Sequence, residues 1–248
     1  MAAETDYSFD RQNWFSVTAR EHRAAREGVV LFDMSSFSKF MMRGRDAEAA
    51  LQYLCSNDMN CPVGRTVYTP MLNERGGFES DLTVARLDND QFLIVTGSAQ
   101  STRDADWIHR HLPDHARSVS LHDVTNTYTV LALMGPRARD VLSTLTDEDL
   151  STEAFPFGSI RQITLGYGTV LASRRSYVGE LGWELYVPNE LAILVYDELH
   201  RSGAAYGLSD AGYYAIESLR LEKAYRAWGR ELTPDVTPYE AGMGFAVR

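Results

Sequence analysis

Two strand-forming runs with only a short polar turn between them set the first constraint on the fold of this chain. LTVARL and QFLIVTG are both rich in β-branched and other apolar residues, and only Asp88, Asn89 and Asp90 separate them. So short a connection favours antiparallel pairing, because parallel neighbours need a crossover of a dozen or more residues. The remaining strand candidates are VVLFDMSSFSKFMMRG, TYTVLALMG, IRQITLG, GTVLASR and WELYVP.

Helical patterns interrupt these strands without a regular strand–helix alternation. The predicted helices are residues 10–27, DAEAALQYLCS behind a cap at Asp46, a segment opened by Ser101, the short RARDVLSTL, ELAILVYDELHRSG behind a cap at Asn189, and residues 211–224. The sequence therefore predicts an α+β fold with mixed or antiparallel sheets and flanking helices. Because it contains no internal repeat and no obvious linker, we expect residues 1–248 to form one domain of two interleaved subdomains.

Composition narrows the class of protein. The net charge of 24 − 34 = −10 makes nucleic acid a poor partner, because an acidic surface repels phosphate. The polar start, MAAETDYSFDRQNW, has no signal pattern, and no apolar run reaches the roughly 20 residues of a membrane span. We expect a cytoplasmic protein with no membrane partner. Cys55 and Cys61 are too few for a disulfide framework and lack zinc-site spacing.

Familiar cofactor and catalytic motifs are missing from the sequence. It contains no GxGxxG, no P-loop and no GxSxG. His111 and His115 have helical spacing, but Pro113 lies between them and breaks the helix, so we predict no metal site. The sequence thus offers no known loop for a flavin, a nicotinamide or ATP.

Two carboxylates stand where strands begin. Asp81 follows the Gly76–Gly77 turn, and an aspartate there is also a common turn former. Glu184 lies between Trp183 and Leu185, so alternation turns its side chain away from theirs. A buried carboxylate needs a donor partner, which either an arginine or a ligand N–H edge can supply.

Seven segments, in this order, resemble one known family along nearly the whole chain: FDRQNWF, EHRAAREGVVLFDMSSFSKF, RGGFESDLTVARL, MGPRARDVL, AFPFGSIRQI, SYVGELGWELYVP and SLRLEKAYRAWGRELTPD. They are similar to the aminomethyltransferases, which include the glycine-cleavage T-protein, and more closely to the folate-binding C-terminal part of dimethylglycine and sarcosine dehydrogenases. The resemblance implies the T-protein fold of two interleaved subdomains. Family members usually continue into a third, β-rich domain, and we expect residues 1–248 to comprise the two subdomains without it.

The resemblance also implies a ligand and the residues that bind it. Tetrahydrofolate is the expected cofactor, Asp81 the expected catalytic residue, and Tyr68, Tyr177 and Glu184 the expected cofactor-binding residues. A carboxylate suits the adjacent amino and ring N–H groups of a pterin, and aromatic side chains suit its flat ring. We expect Glu180 to be structural, satisfying backbone N–H groups of its tight turn.

The implied reaction is one-carbon transfer. The chain would form 5,10-methylenetetrahydrofolate from an imine derived from an N-methyl amine donor, or from formaldehyde. The alternative is a non-catalytic folate-binding module or subunit that works beside a separate flavin amine oxidase. An iron–sulfur-assembly relative of the T-protein is disfavoured, because KAYRAWGRE lacks that branch's cysteine. The T-protein stretch GLGARD is also absent, and Arg220 aligns with an arginine whose expected role is structural.

Overall fold

The computed structural model describes residues 4–248 and is built from helices and strands in mixed order. The α-helices are α1 (Phe15–Glu27), α2 (Ala47–Leu54), α3 (Ser101–His111), α4 (Ala138–Leu142), α5 (Ala192–Gly203) and α6 (Tyr213–Glu222). The strands are β1 (Val30–Asp33), β2 (Ser38–Arg43), β3 (Thr66–Leu72), β4 (Phe78–Asp88), β5 (Gln91–Thr96), β6 (Ser120–Asp123), β7 (Tyr128–Met134), β8 (Ile160–Leu165), β9 (Gly168–Ser173), β10 (Gly182–Pro188) and β11 (Ser209–Ala211). Among residues 4–248, no helix is long and apolar enough to cross a membrane.

The chain forms two compact units, each made of segments that are distant in sequence. The first unit comprises the N-terminal segment through Met34, Thr129–Phe157 and Gln162–Tyr225. The second unit comprises Ser35–Tyr128, Gly158–Arg161 and Arg226–Arg248. The predicted α+β fold with two interleaved subdomains is therefore confirmed.

The first unit is built on a six-stranded mixed sheet in the order β11-β1-β7-β10-β9-β8. Strand β1 pairs parallel with β11 and antiparallel with β7. One core cluster contains the alternate residues Trp183, Leu185 and Val187 of β10, together with residues of α4 and α5. This alternation fixes the direction of Glu184, which points away from that cluster.

The second unit is built on a five-stranded sheet in the order β3-β4-β5-β2-β6, and its strand pairs are all antiparallel. Its core packs Leu82 and Val84 of β4 against residues of α2 and α3. The predicted hairpin is the β4–β5 pair. Strand β4 begins before the LTVARL run, at Phe78, and β5 ends at Thr96, one residue short of the QFLIVTG run.

Three strands were not predicted: β3, β6 and β11. Strand β3 contains Pro70, a residue that argues against a central strand but is tolerated at an edge, and β3 is the edge strand of its sheet. Strands β6 and β11 have only four and three residues, which is too short for a periodic signal.

The structure corrects the start of α1 and two predicted side-chain caps. Helix α1 begins at Phe15 and not at residue 10. The Asp46 side chain accepts a hydrogen bond from the Ser118 backbone N–H at 2.8 Å, with no capping bond into α2. Asn189 accepts one from the Thr129 hydroxyl at 2.8 Å and opens a 3₁₀ turn before α5. Both cap candidates are instead used by distant residues, which local sequence does not reveal.

Candidate functional site

A tight turn built around Asn73 precedes Asp81 in the second unit. The Asn73 side-chain oxygen accepts hydrogen bonds from the backbone N–H groups of Arg75 (2.9 Å) and Gly77 (3.0 Å). Its amide nitrogen donates to the Pro234 carbonyl at 2.9 Å. Gly76 has φ +80°, a conformation that favours glycine. Asn73 thus organises the turn and ties it to the segment that contains Pro234.

Gly77 is required by close packing. A Cβ at this position would lie 1.9 Å from the Pro234 carbonyl oxygen. The next residue, Phe78, donates its backbone N–H to the Val236 carbonyl at 3.1 Å. The glycine pair therefore lets the 233–237 segment lie against the start of β4.

Asp81 lies on the face of β4 opposite the core. Leu82 and Val84 point into the core, and Asp81 alternates with them. Its carboxylate accepts a hydrogen bond from the Tyr68 hydroxyl at 3.0 Å. Burial raises the pKa of Asp81 from 3.8 to about 6, with a further rise from the charge of Asp104 and an opposing effect from the Tyr68 bond. Asp81 is thus a carboxyl group that can exchange a proton near neutral pH.

Tyr68 has an apolar side and a polar end. It packs against a small cluster of Phe78, Leu232, Ala241 and Met243. Its ring centroid is 6.3 Å from that of Phe245, whose side chain is 71% exposed. The Tyr68 hydroxyl is thus held at Asp81 beside an exposed aromatic ring.

Asp104 approaches β4 from the core face. It lies on α3, is 1% exposed, and accepts hydrogen bonds from the Ser80 hydroxyl (2.8 Å) and the Thr96 hydroxyl. Its Oδ1 atom is buried and has no hydrogen-bond partner among the described residues. Burial raises the pKa of Asp104, while the two hydroxyl bonds and Arg103 lower it. Nothing in the sequence pattern singled this residue out.

Glu184 is buried in the first unit beside a phenol and a guanidinium. It accepts a hydrogen bond from the Tyr186 hydroxyl at 2.9 Å. Burial raises the pKa of Glu184, and the nearby Arg175 charge and the Tyr186 bond oppose that rise. Burial and the adjacent carboxylate raise the pKa of Tyr186 well above its usual range. Arg175 is therefore an arginine of the kind that the sequence left open for Glu184, and the Tyr186 hydroxyl is a donor that the sequence did not predict.

In the turn before β10, Glu180 makes a structural contact, as expected, but the contact is not with the backbone of its own turn. The Ser176 hydroxyl oxygen, not Glu180, accepts the turn's N–H groups, from Val178 (3.3 Å), Gly179 (3.1 Å) and Glu180 (3.3 Å). The Glu180 carboxylate instead pairs with the Arg26 guanidinium at 2.9 Å. Because the Ser176 hydroxyl already accepts the backbone N–H groups of this turn, the Glu180 carboxylate is available to pair with Arg26 of α1.

Tyr177 stacks on Tyr225, with ring centroids 6.0 Å apart and planes 18° apart. The Tyr225 backbone carbonyl accepts a hydrogen bond from the buried Arg220 at 2.7 Å. Ala224 before it has φ +55°, an unusual value for a residue with a side chain. Such strained backbone persists only where the surroundings enforce it and is common at binding sites. Arg220 thus has the structural position expected, and it holds the backbone of an aromatic residue that the sequence analysis missed.

The four predicted site residues fall into two groups. Tyr68 and Asp81 are brought into direct contact in the second unit. Tyr177 and Glu184 both belong to the first unit, where their partners are Tyr225 and Tyr186. The sequence analysis did not identify the turn residues Asn73 and Ser176. An Asn or Ser shortly before a glycine is the sequence signal by which they can be found.

Known proteins match the chain over its full length. The GCVT N-terminal domain family matches residues 2–248. The 4-methylaminobutanoate oxidase (formaldehyde-forming) of Paenarthrobacter nicotinovorans is 40% identical over 242 residues, which are 98% of this chain and 29% of that protein. The mitochondrial pyruvate dehydrogenase phosphatase regulatory subunit of Mus musculus is 39% identical, covering 98% of this chain and 28% of that protein. The mitochondrial sarcosine dehydrogenase of Mus musculus is 40% identical, with the same two coverages.

A solved structure agrees with this assignment. The glycine cleavage system aminomethyltransferase T from Bartonella henselae superposes with a TM-score of 0.81 at 27% identity, over 93% of this chain and 61% of that one. The chain spans less than a third of the length of the three curated relatives. The match to residues 2–248 and the shared fold show that this chain belongs to the GCVT N-terminal domain family.

Proposed function

We propose that this chain binds tetrahydrofolate and takes part in the transfer of a one-carbon unit to it. The observation that carries the proposal is the Tyr68–Asp81 pair: a half-buried carboxylate, held by a phenol, with a pKa of about 6. A carboxyl group with that pKa is suited to proton transfer near neutral pH. A raised pKa is not required of an aspartate that only stabilises a turn.

The buried acid in the first unit fits the folate ring system. Glu184 is an ionisable acceptor with a phenol on one oxygen, and Arg175 favours its charged form. A pterin presents an amino group and a ring N–H that a carboxylate can accept together. The Tyr177–Tyr225 stack offers an aromatic surface for a flat ring. We assign Glu184 and Tyr177 to pterin binding.

Asp81 has the role of proton acceptor. Bound tetrahydrofolate would supply the nitrogen nucleophile for the one-carbon unit. The ionised Asp81 carboxylate can accept or hold a proton at its Oδ atoms, and the Tyr68 hydroxyl orients it. An N-methyl amine, as its imine, or formaldehyde is the proposed donor, in keeping with the names of the oxidase and dehydrogenase relatives.

The experiment separates binding from transfer. Calorimetry should give saturable tetrahydrofolate binding at micromolar or tighter Kd. Asp81→Asn keeps an oxygen that can accept the Tyr68 hydrogen bond but removes the negative charge. We therefore expect a Kd within a few-fold of wild type and a transfer rate lower by about 10²–10⁴-fold. Asp88→Asn, at the far end of the same strand, is the matched control. Absence of saturable binding contradicts the proposal, as does an Asp81→Asn variant that binds weakly but transfers normally.

A second candidate is a non-catalytic folate-binding module or subunit beside a separate flavin amine oxidase. It is favoured by the regulatory subunit among the curated relatives. Hydride removal from an N-methyl amine needs an electron acceptor such as a flavin. If methylene-folate forms only when a flavin amine oxidase is added, and not with formaldehyde alone, the module is the better description.

A further inference from the structure

We infer that Asp104 is a positioning residue for Asp81, acting from the opposite face of the second unit's sheet through Ser80 and Thr96. The inference rests on the proposed role of Asp81. Asp104 itself does not touch the face on which Asp81 and Tyr68 lie, because Ser80 and Leu82 alternate with Asp81 along β4.

The two hydroxyl groups that donate hydrogen bonds to Asp104 lie on either side of Asp81. Ser80 directly precedes Asp81 on β4. Thr96 lies on β5 and pairs in register with Leu82, which directly follows Asp81. The Thr96 hydroxyl oxygen also lies 3.5 Å from the Asp81 carbonyl oxygen. One carboxylate oxygen therefore fixes both strands at the point where Asp81 projects.

The arrangement is poorly explained by stability alone. Asp104 is 1% exposed, and its second oxygen has no hydrogen-bond partner among residues 4–248. A buried, half-satisfied carboxyl group destabilises a fold relative to an apolar side chain of similar size. The first turn of α3, where Asp104 lies, favours negative charge only modestly. An effect of the Asp104 carboxylate on the position and pKa of Asp81 accounts for an acidic residue at position 104.

The charged groups around Asp104 and Asp81 determine the direction in which the pKa of Asp81 should change. Arg103 lies next to Asp104 on α3 and favours its ionised form, while Glu79 opposes it. Arg103 is itself paired with Glu79. An ionised Asp104 repels a second negative charge at Asp81, so its removal must make Asp81 a stronger acid.

The test is a carboxyl-carbon NMR titration of the folate-free chain labelled at aspartate. In Asp104→Asn we expect the Asp81 midpoint to fall by about half a pH unit or more. Thr96→Val should lower it too, because it removes a donor that favours the ionised form of Asp104. Asp106→Asn, on the exposed side of α3 and paired with Arg110, is the matched control and should leave it unchanged.

The Asp81 midpoint in the variants decides whether Asp104 acts on Asp81. An unchanged Asp81 midpoint in a folded Asp104→Asn variant overturns the inference and leaves Asp104 as a structural acid. If that variant does not fold, Thr96→Val decides in the same way, since it retains the carboxylate. Because no folate is present, a shifted midpoint in a chain that binds no tetrahydrofolate would refute the proposed function and leave the coupling intact.

Discussion

The Tyr68 hydroxyl donates a hydrogen bond of 3.0 Å to the Asp81 carboxylate, from the edge strand β3 to its neighbour β4. The register explains the contact. Tyr68 pairs with Thr83 of β4, and Asp81, two residues before Thr83, lies on the same face of that strand. A hydrogen bond to the charged form favours that form. Tyr68 and Asp104 therefore act on the Asp81 pKa with opposite signs.

The first prediction follows from that opposition. Tyr68→Phe removes the donor and keeps the ring, so the pKa of Asp81 should rise above about 6. The NMR titration described for Asp104 measures it, with Tyr53→Phe, an exposed tyrosine of the same unit, as control. A fall in the Asp81 midpoint would show that the Tyr68 hydroxyl does not stabilise the carboxylate.

The raised Asp81 pKa also predicts how stability depends on pH. The folded chain binds the Asp81 proton more tightly than the unfolded chain, with a pKa of about 6 against 3.8. The folded state therefore loses stability as the pH rises from about 4 to about 6, and the loss persists above pH 6.

Asp81→Asn removes this titration. The unfolding free energy of this variant minus that of wild type should therefore increase by about 1–3 kcal/mol between pH 4 and pH 7, because only wild type loses stability over that range. Urea unfolding of both proteins at the two pH values measures the change, and the comparison cancels the titrating groups that do not interact with Asp81. A difference that is the same at both pH values would place the Asp81 pKa near its ordinary value.

The third prediction concerns Glu184. Glu184→Gln keeps an oxygen for the Tyr186 hydroxyl and removes the charge, so tetrahydrofolate binding should weaken by about 1.5–3 kcal/mol, the range for a charge-assisted bond. Glu180→Gln is the control from the adjacent turn, where the carboxylate pairs with Arg26. It should lower the unfolding free energy and leave the Kd unchanged. If both variants bind like wild type, Glu184 is a structural acid.

The sequence predicted those parts of the site that depend on local pattern. The short DND connection predicted the β4–β5 hairpin, and the alternation around Glu184 predicted that its side chain lies opposite those of Trp183 and Leu185. These features arise from neighbours along one strand or one hairpin, where periodicity carries the information.

Contacts between distant segments were beyond local pattern. Glu180 was expected to bind its own turn, but Arg26 lies 154 positions earlier in the chain and attracts its carboxylate. Asp104 reads as an ordinary polar residue of a helix, and only the docking of α3 on β4 buries it. Tyr225 was part of a segment used for the resemblance, yet its stacking on Tyr177 depends on the backbone that Arg220 holds.

The last prediction assigns Tyr225 to the proposed pterin-binding surface. Its ring is 38% exposed and stacks on Tyr177, so it can extend an aromatic surface to a flat ligand. Tyr225→Ala should weaken tetrahydrofolate binding by about 0.5–1.5 kcal/mol, the contribution of an aromatic pair, while Tyr225→Phe retains the ring and should bind like wild type. Calorimetry measures both, and Tyr167→Ala, at a fully exposed tyrosine of the same unit, is the control. Equal losses in the Ala and Phe variants would assign the effect to the hydroxyl, and wild-type binding by Tyr225→Ala would remove Tyr225 from the site.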